Sequence, residues 1–306
     1  MILLDLVGVY HIRLLSEIRF GILLPRLHYM RVDSHQHFWN YDAGQYPWMT
    51  EELAALRSDH LPADLQVEFD QVGLDGSVAV QARQTLEESR WLIELADQHD
   101  LIKGVVGWVD LRSEAVEEQL AEFAPHPKFV GVRHVVQDEP DDQFMLQPEF
   151  IRGISKLKAF DLRYDVLIFP RQLPAAIELV KQFPEQSFVL DHIAKPLIKA
   201  GVMAPWEEEI RELATYENLT CKVSGMVTEA DWEQWVPGDF WPYLDVVFEA
   251  FGEDRLMYGS DWPVCRLGCE YGRIYRLAEE YVSQFSAEAQ AKFFGGVASA
   301  FYSLKG

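Results

Sequence analysis

Cysteine is scarce. Cys221, Cys265 and Cys269 are the only three in 306 residues, too few and odd in number to build a disulfide framework. Cys265 and Cys269 stand four apart with Arg266 and Gly268 between them and no second pair elsewhere, so they read as structural. Such usage fits a reducing compartment, and a cytoplasmic location is expected. Basic charge is also short. Lys and Arg number 27 against 49 Asp and Glu, a formal net charge of -22. That surface repels phosphate backbones and anionic bilayers, which argues against nucleic-acid and membrane partners. Long apolar runs are missing too. Residues 1–29 are rich in Leu and Ile, but Asp5, His11, Arg13, Glu17 and Arg19 interrupt them, leaving no span of about 18–20 uncharged residues. No small-residue cleavage site follows. The stretch 1–29 reads as an N-terminal extension, consistent with a mis-assigned start ahead of Met30, with 30–306 as the functional domain. No Ser, Gly or Pro-rich linker divides that domain, and no Gly-rich phosphate turn follows an early strand.

What is present is an alternation. Runs of β-branched and apolar residues at Val32–His37, Ser77–Ala82, Gly104–Val109, Phe129–Val135, Arg163–Phe169, Ser187–His192, Leu219–Ser224 and Leu256–Ser260 make eight candidate strands. Amphipathic stretches such as Leu86–Asp100 and Arg171–Phe183 lie between them, with Leu86, Ser89, Ile93 and Ala96 on one face of the first and Ala175, Leu179 and Phe183 on one face of the second. Eight buried strands alternating with helices predict a (β/α)8 barrel. The competing doubly wound sheet lacks its phosphate turn. Two irregular stretches stand out: Asn40–Pro62, carrying Tyr41, Tyr46 and Trp48, and Met226–Trp241, carrying Trp232, Trp235 and Trp241. The first is long enough to serve as a lid over the barrel mouth.

Residues at the C-terminal strand ends of a barrel share one rim, where chemistry is done. Strand one supplies His35 and His37, which share a face in extended chain. The following ends carry Gln81 and Arg83, then Trp108 and Asp110, then Arg133 and His134. Strand six ends in Asp191-His192 with Lys195 close behind, strand seven in Lys222 and Ser224, and strand eight in Asp261-Trp262-Pro263. Ionisable ends on so many strands favour an active site. His35, His37, His192 and Asp261 together suit a mononuclear zinc site, and Asp261 is equally suited to act as a general base. Duller roles exist for each. Asp261 could cap a turn, His192 could be a core residue held by Asp191, and Arg83 and Arg133 could pair with rim carboxylates. Asp33 is read as orienting the strand-one histidines, and His60, His99 and His126 as surface residues.

Asp33-Ser34-His35-Gln36-His37-Phe38-Trp39, Gly131-Val132-Arg133-His134, Leu167-Ile168-Phe169-Pro170-Arg171-Gln172-Leu173, Val189-Leu190-Asp191-His192-Ile193-Ala194-Lys195-Pro196 and Gly259-Ser260-Asp261-Trp262-Pro263 together resemble the amidohydrolase superfamily. More narrowly they resemble its sugar-lactonase branch, which includes L-fuconolactone and L-rhamnonolactone hydrolases and 2-pyrone-4,6-dicarboxylate lactonase. The resemblance runs from Met30 to the C-terminus. It implies a distorted (β/α)8 barrel of the amidohydrolase type that opens a cyclic ester with water. The family's His-x-His falls on His35 and His37, its strand-six histidine on His192 and its strand-eight aspartate on Asp261. Many amidohydrolases carry a bridging lysine after strand four and a histidine after strand five. Here those ends read Arg133-His134 and Phe169, which argues against a binuclear centre. The resemblance implies one divalent cation, zinc first, although some members of the branch work without metal.

The implied reaction has Asp261 taking a proton from water, which attacks a lactone carbonyl polarised by a metal or by His35, His37 and His192 directly. Arg83, Arg133, His134, Lys195, Trp39, Trp108 and Trp262 are the expected substrate contacts. A dicarboxylate lactone would call for several rim arginines, whereas Trp-rich walls suit a neutral sugar ring, so an L-fucono or L-rhamnono aldonolactone is the expected substrate. The alternatives are a dicarboxylate lactonase, a lactone isomerase, a superfamily decarboxylase and a non-catalytic sugar-acid binder. A homodimer is left open.

Overall fold

The computed structural model describes residues 30–305; the stretch read above as an N-terminal extension lies outside the described residues. Eight parallel strands run in one sheet in chain order: β1 (Val32–Gln36), β2 (Gly76–Val80), β3 (Ile102–Gly107), β4 (Phe129–His134), β5 (Arg163–Val166), β6 (Phe188–Leu190), β7 (Leu219–Val223) and β8 (Leu256–Tyr258). Helices α1 (Pro62–Val72), α2 (Leu86–Gln98), α3 (Val116–Phe123), α4 (Pro148–Leu157), α5 (Leu173–Gln182), α6 (Trp206–Leu213) and α7 (Trp241–Phe251) connect them, and α8 (Tyr271–Val282) follows the last. This is the (β/α)8 barrel that the alternation predicts. Strands covered on both faces need continuous apolar runs, which is why Val78-Ala79-Val80 and Phe188-Val189-Leu190 are fully buried.

Inside the barrel, Val32, Val78, Val80, Val106, Val130, Val189 and Met257 form a second core, distinct from the large one between sheet and helices. Two short C-terminal helices, α9 (Ala287–Ala291) and α10 (Val297–Phe301), follow α8. Val297, Ala298 and Tyr302 join the interior core and close the base of the barrel. The seam between β8 and β1 is closed above the ladders. There the His37 amide donates to the Trp262 carbonyl at 2.7 Å, and the Asp261 amide donates to the His35 carbonyl at 2.8 Å. That seam sets the first and last strand ends side by side.

Most of the strands end earlier than the apolar runs suggest. Ladder pairing stops at Leu190 and Tyr258 because the chain turns there. His192, Ile193, Ala194 and Lys195 all have left-handed φ, between 49° and 57°, and Asp261 has φ 58°. Non-glycine residues seldom adopt that region, and runs of them gather at functional sites. On α2 the buried face is Glu88, Ser89, Leu92 and Ala96, a rotation from the expected Leu86, Ser89, Ile93 and Ala96. The buried Glu88 carboxylate explains the shift: its Oε2 accepts the Ala82 and Arg83 amides at 3.1 and 2.7 Å and ties the β2 exit to the helix.

Candidate active site

The centre of the rim is Asp261. Its Oδ1 lies 3.3 Å from His37 Nε2 and 3.9 Å from both His35 Nε2 and His192 Nε2, while the two strand-one Nε2 atoms are 3.3 Å apart. Second partners aim the rings. His37 Nδ1 donates to the Val80 carbonyl at 2.7 Å, which turns Nε2 toward Asp261. His192 Nδ1 meets Ser224 Oγ at 2.8 Å. Gly225 lets that ring approach: its φ is +61°, and a Cβ there would fall 2.5 Å from His192 Nδ1. The structure therefore brings together the four residues expected to converge.

Burial pushes the His35 and His192 imidazoles well below their ordinary range. Burial alone would raise Asp261, but the surrounding His192, His37 and Lys195 outweigh it and hold the carboxyl below its usual value. Asp261 Oδ1 and His37 Nε2, whose ring N–H is spent on Val80, are 3.3 Å apart, a contact that calls for a proton or a cation between them. The donor set fits a divalent ion. A tetrahedral zinc with arms of about 2.0–2.1 Å spaces its ligands roughly 3.3 Å apart, and His35, His37 and Asp261 lie near that spacing. His192 Nε2, 3.9 Å from Asp261 Oδ1, groups with His35 and Asp191 at ligand spacing.

Beneath this group lies a buried charge network. Asp191 pairs with Arg133 Nη1 at 3.1 Å, Lys222 Nζ at 3.1 Å and His35 Nδ1 at 3.3 Å. Desolvation opposes its charge, yet Lys222, His35 and Arg133 hold it well below the carboxylate range. Asp165 takes Lys222 from the other side and accepts the Tyr302 hydroxyl at 2.8 Å; burial pushes its carboxyl up to about 6. Asp33 accepts the His35 and Ser260 amides at 3.1 and 2.9 Å and the Tyr271 hydroxyl at 2.9 Å, so it holds the backbone of the strand-one histidine His35 and ties it to the β8 exit.

A cavity of about 720 Å³ opens above Asp261, large enough for a monosaccharide-sized ligand. His37, His192, Arg83, Arg133, Lys195 and Trp39 line it, together with Trp48, Trp232 and Glu229 from the two irregular stretches. Trp39 is fully buried, and its indole N–H is spent on the Ser58 carbonyl at 2.9 Å. It forms wall with Tyr46, Met49 and Leu56.

Three expected substrate contacts fall outside the lining. Trp108 Nε1 donates to His134 Nδ1 at 3.4 Å and His134 Nε2 to Glu139 at 2.7 Å, so these two satisfy each other behind the wall. Trp262 is buried against Phe38 and His60. His60 is likewise 3% exposed rather than a surface residue, packed on Trp39 and Trp262. Both aromatic positions follow from the seam, whose backbone pairing turns these side chains outward into the loop core.

Sequence reasoning missed Asp165 and Glu229. The first carried a signal, a carboxylate within the strand Arg163-Tyr164-Asp165-Val166, since an acid in a buried strand needs a cation. Glu229 carried none; only the loop fold sets it 3.8 Å from Lys195 Nζ.

The sequence profile of the Amidohydrolase family matches residues 32–304. An L-fucono-1,5-lactonase of Burkholderia multivorans is 40% identical over 286 residues, covering 90% of this chain and 96% of that protein. An L-fucono-1,5-lactonase of Burkholderia ambifaria is 37% identical over 281 residues, covering 90% and 96%. The crystal structure of a Burkholderia multivorans amidohydrolase with bound zinc superposes with a TM-score of 0.87 at 40% identity, over 90% of this chain and all of that one. The chain belongs to the Amidohydrolase family.

Proposed function

We propose that this protein hydrolyses a neutral six-carbon sugar lactone of the L-fuconolactone type to its aldonic acid. The observation that carries the reading is the convergence of three histidine Nε2 atoms on Asp261 Oδ1 at the floor of a sugar-sized cavity. The 40%-identical L-fucono-1,5-lactonase supports the substrate class. A dicarboxylate lactone fits the walls less well. Both cavity arginines are already engaged, Arg133 by Asp191 and Arg83 by Gln45, and Glu229 would repel a second carboxylate.

Asp261, ionised at neutral pH, takes a proton from a water held between it and the substrate, and the hydroxide attacks the lactone carbonyl. Negative charge developing on the carbonyl oxygen meets the positive side chains that line the cavity, Lys195 and Arg133. Asp261 then returns the proton to the ring oxygen as it leaves, opening the ring to a hydroxy acid. His35, His37, His192 and Asp261 would hold a divalent cation, zinc by their donor chemistry, which when bound polarises the carbonyl and acidifies water. Lys195 and Glu229 face the ring hydroxyls, while Trp48 and Trp232 cover its apolar face. Among the described residues no helix is long and apolar enough to cross a membrane; a cytoplasmic setting remains part of this proposal, as does 30–306 as one functional domain.

The test is acid release, followed with a pH indicator, across a panel of aldonolactones with and without chelator. Release from an L-fucono or L-rhamnono lactone is expected. Silence across the panel with turnover of an aromatic-derived dicarboxylate lactone would overturn the sugar reading.

A further inference from the structure

His35 sits between two cations. Lys222 Nζ lies 3.2 Å from its Nδ1, and Arg133 Nη1 lies 3.2 Å from its Nε2. A neutral imidazole has one N–H and one lone pair, so it cannot accept from both. Asp191 Oδ1, 3.3 Å from Nδ1, offers the resolution. With the proton on Nδ1, the nitrogen that faces Asp191, the Nε2 lone pair receives the Arg133 N–H. That arrangement leaves the Lys222 ammonium to its two carboxylates, Asp165 and Asp191. The guanidinium is well anchored in this pose. The same Nη1 bonds Asp191 Oδ2 at 3.1 Å and Nη2 bonds the Gln81 carbonyl. Arg133 is 4% exposed and lines the cavity.

We propose that Arg133 is a resident cation of this site. Its Nη1 occupies the Nε2 lone pair of His35 that a divalent metal ion would need, so metal entry requires the guanidinium to withdraw. The consequence is a contest between two electrophiles for one position. With Arg133 in place, its positive charge meets the lactone carbonyl oxygen. With the ion in place, Arg133 falls back on Asp191 and Gln81. Metal binding is therefore weakened by the protein's own side chain, and Arg133 acts on the metal through His35.

Zinc affinity tests this without any substrate, so its failure and the failure of the lactone reading are separate events. Zn2+ is titrated into metal-free protein against a chromophoric chelator, for the wild type and for Arg133→Met, which keeps length and loses the donors. The variant is expected to bind zinc on the order of tenfold or more tightly, since the ion no longer has to break a charge-assisted hydrogen bond. Arg133→Lys, which keeps the charge but not the fork, serves if the first variant does not fold, and its affinity is expected to rise as well. Unchanged or weaker zinc binding in a folded variant would overturn the proposal. The wild type supplies an independent readout in the 15N shifts of its histidine rings. His35 is expected to show protonated Nδ1 and a lone pair on Nε2 in the metal-free protein; the opposite tautomer would sink the idea.

Discussion

At the scale of single residues the site depends on donors and acceptors placed to a few tenths of an ångström. Asp261→Asn keeps shape and removes the proposed base. Lactone turnover is expected to fall on the order of 1,000-fold, the weight of general-base catalysis, while circular dichroism stays unchanged. Loss of fold in place of loss of turnover would make Asp261 a structural residue. Gly225→Ala probes the support of His192. A methyl group there lies 2.5 Å from Nδ1 and 2.7 Å from Cγ of that ring, on a backbone with φ +61°. A cost of about 1–3 kcal/mol in urea unfolding is expected for the strained conformation. A loss of about 100-fold in kcat/KM is expected for the displaced imidazole. Activity equal to wild type would show that the position of His192 is not needed. Residue identity at the four converging positions was legible in the sequence, since His35, His37, His192 and Asp261 all stand at ends of recognisable strands. The roles of Trp108, His134 and Trp262 were not. Rim position says which strand end a side chain leaves, but not whether a neighbour such as Glu139 or Phe38 captures it first.

At the scale of elements, Glu88 shows how a helix is tied to a strand exit. Burial pushes its carboxyl from 4.5 up to about 7 despite the Arg83 and Ala82 amides it accepts. The folded state therefore holds a proton that the unfolded chain releases near pH 4.5. By linkage, this group's contribution is fully present below 4.5 and is lost as pH rises through about 7. Glu88→Gln keeps an acceptor and cannot ionise. Its stability relative to wild type is expected to improve by about 1–3 kcal/mol between pH 5 and pH 8, one pKa unit being worth about 1.4 kcal/mol. Urea midpoints at the two pH values check this; a difference that does not change with pH would mean that Glu88 is ionised when folded. The helix itself was readable from its periodicity, yet the buried face was rotated. A scale that counts Glu as polar cannot foresee a carboxylate satisfied by two amides of the preceding loop.

For the whole molecule, the C-terminal helix plugs the barrel and reaches the site from below. The Tyr302 hydroxyl donates to Asp165, which binds Lys222, which binds Asp191 beneath His35. Tyr302→Phe leaves packing intact and removes one donor from a buried carboxylate. A destabilisation of about 1–3 kcal/mol is expected, the usual cost of an unmet bond to a charged group, and urea denaturation measures it. Full stability would show that Lys222 alone satisfies Asp165. This link runs across 137 residues of sequence. Nothing in the local pattern of either partner announces the other, although the lone acid inside β5 announces that some cation must exist.

The order of apolar runs and amphipathic stretches determined the barrel, because parallel strands covered on both faces have few other ways to bury themselves. Position at the strand ends likewise determined the meeting of His35, His37, His192 and Asp261, since a barrel gathers those ends on one rim. Tertiary structure alone decided the rest. Closure of the β8–β1 seam brought Asp261 within hydrogen-bonding range of His37, the left-handed turn after β6 swung His192 over it, and the loop after β7 brought Glu229 to Lys195. Those choices depend on distances between segments far apart in the chain, and such distances exist only once the chain has folded.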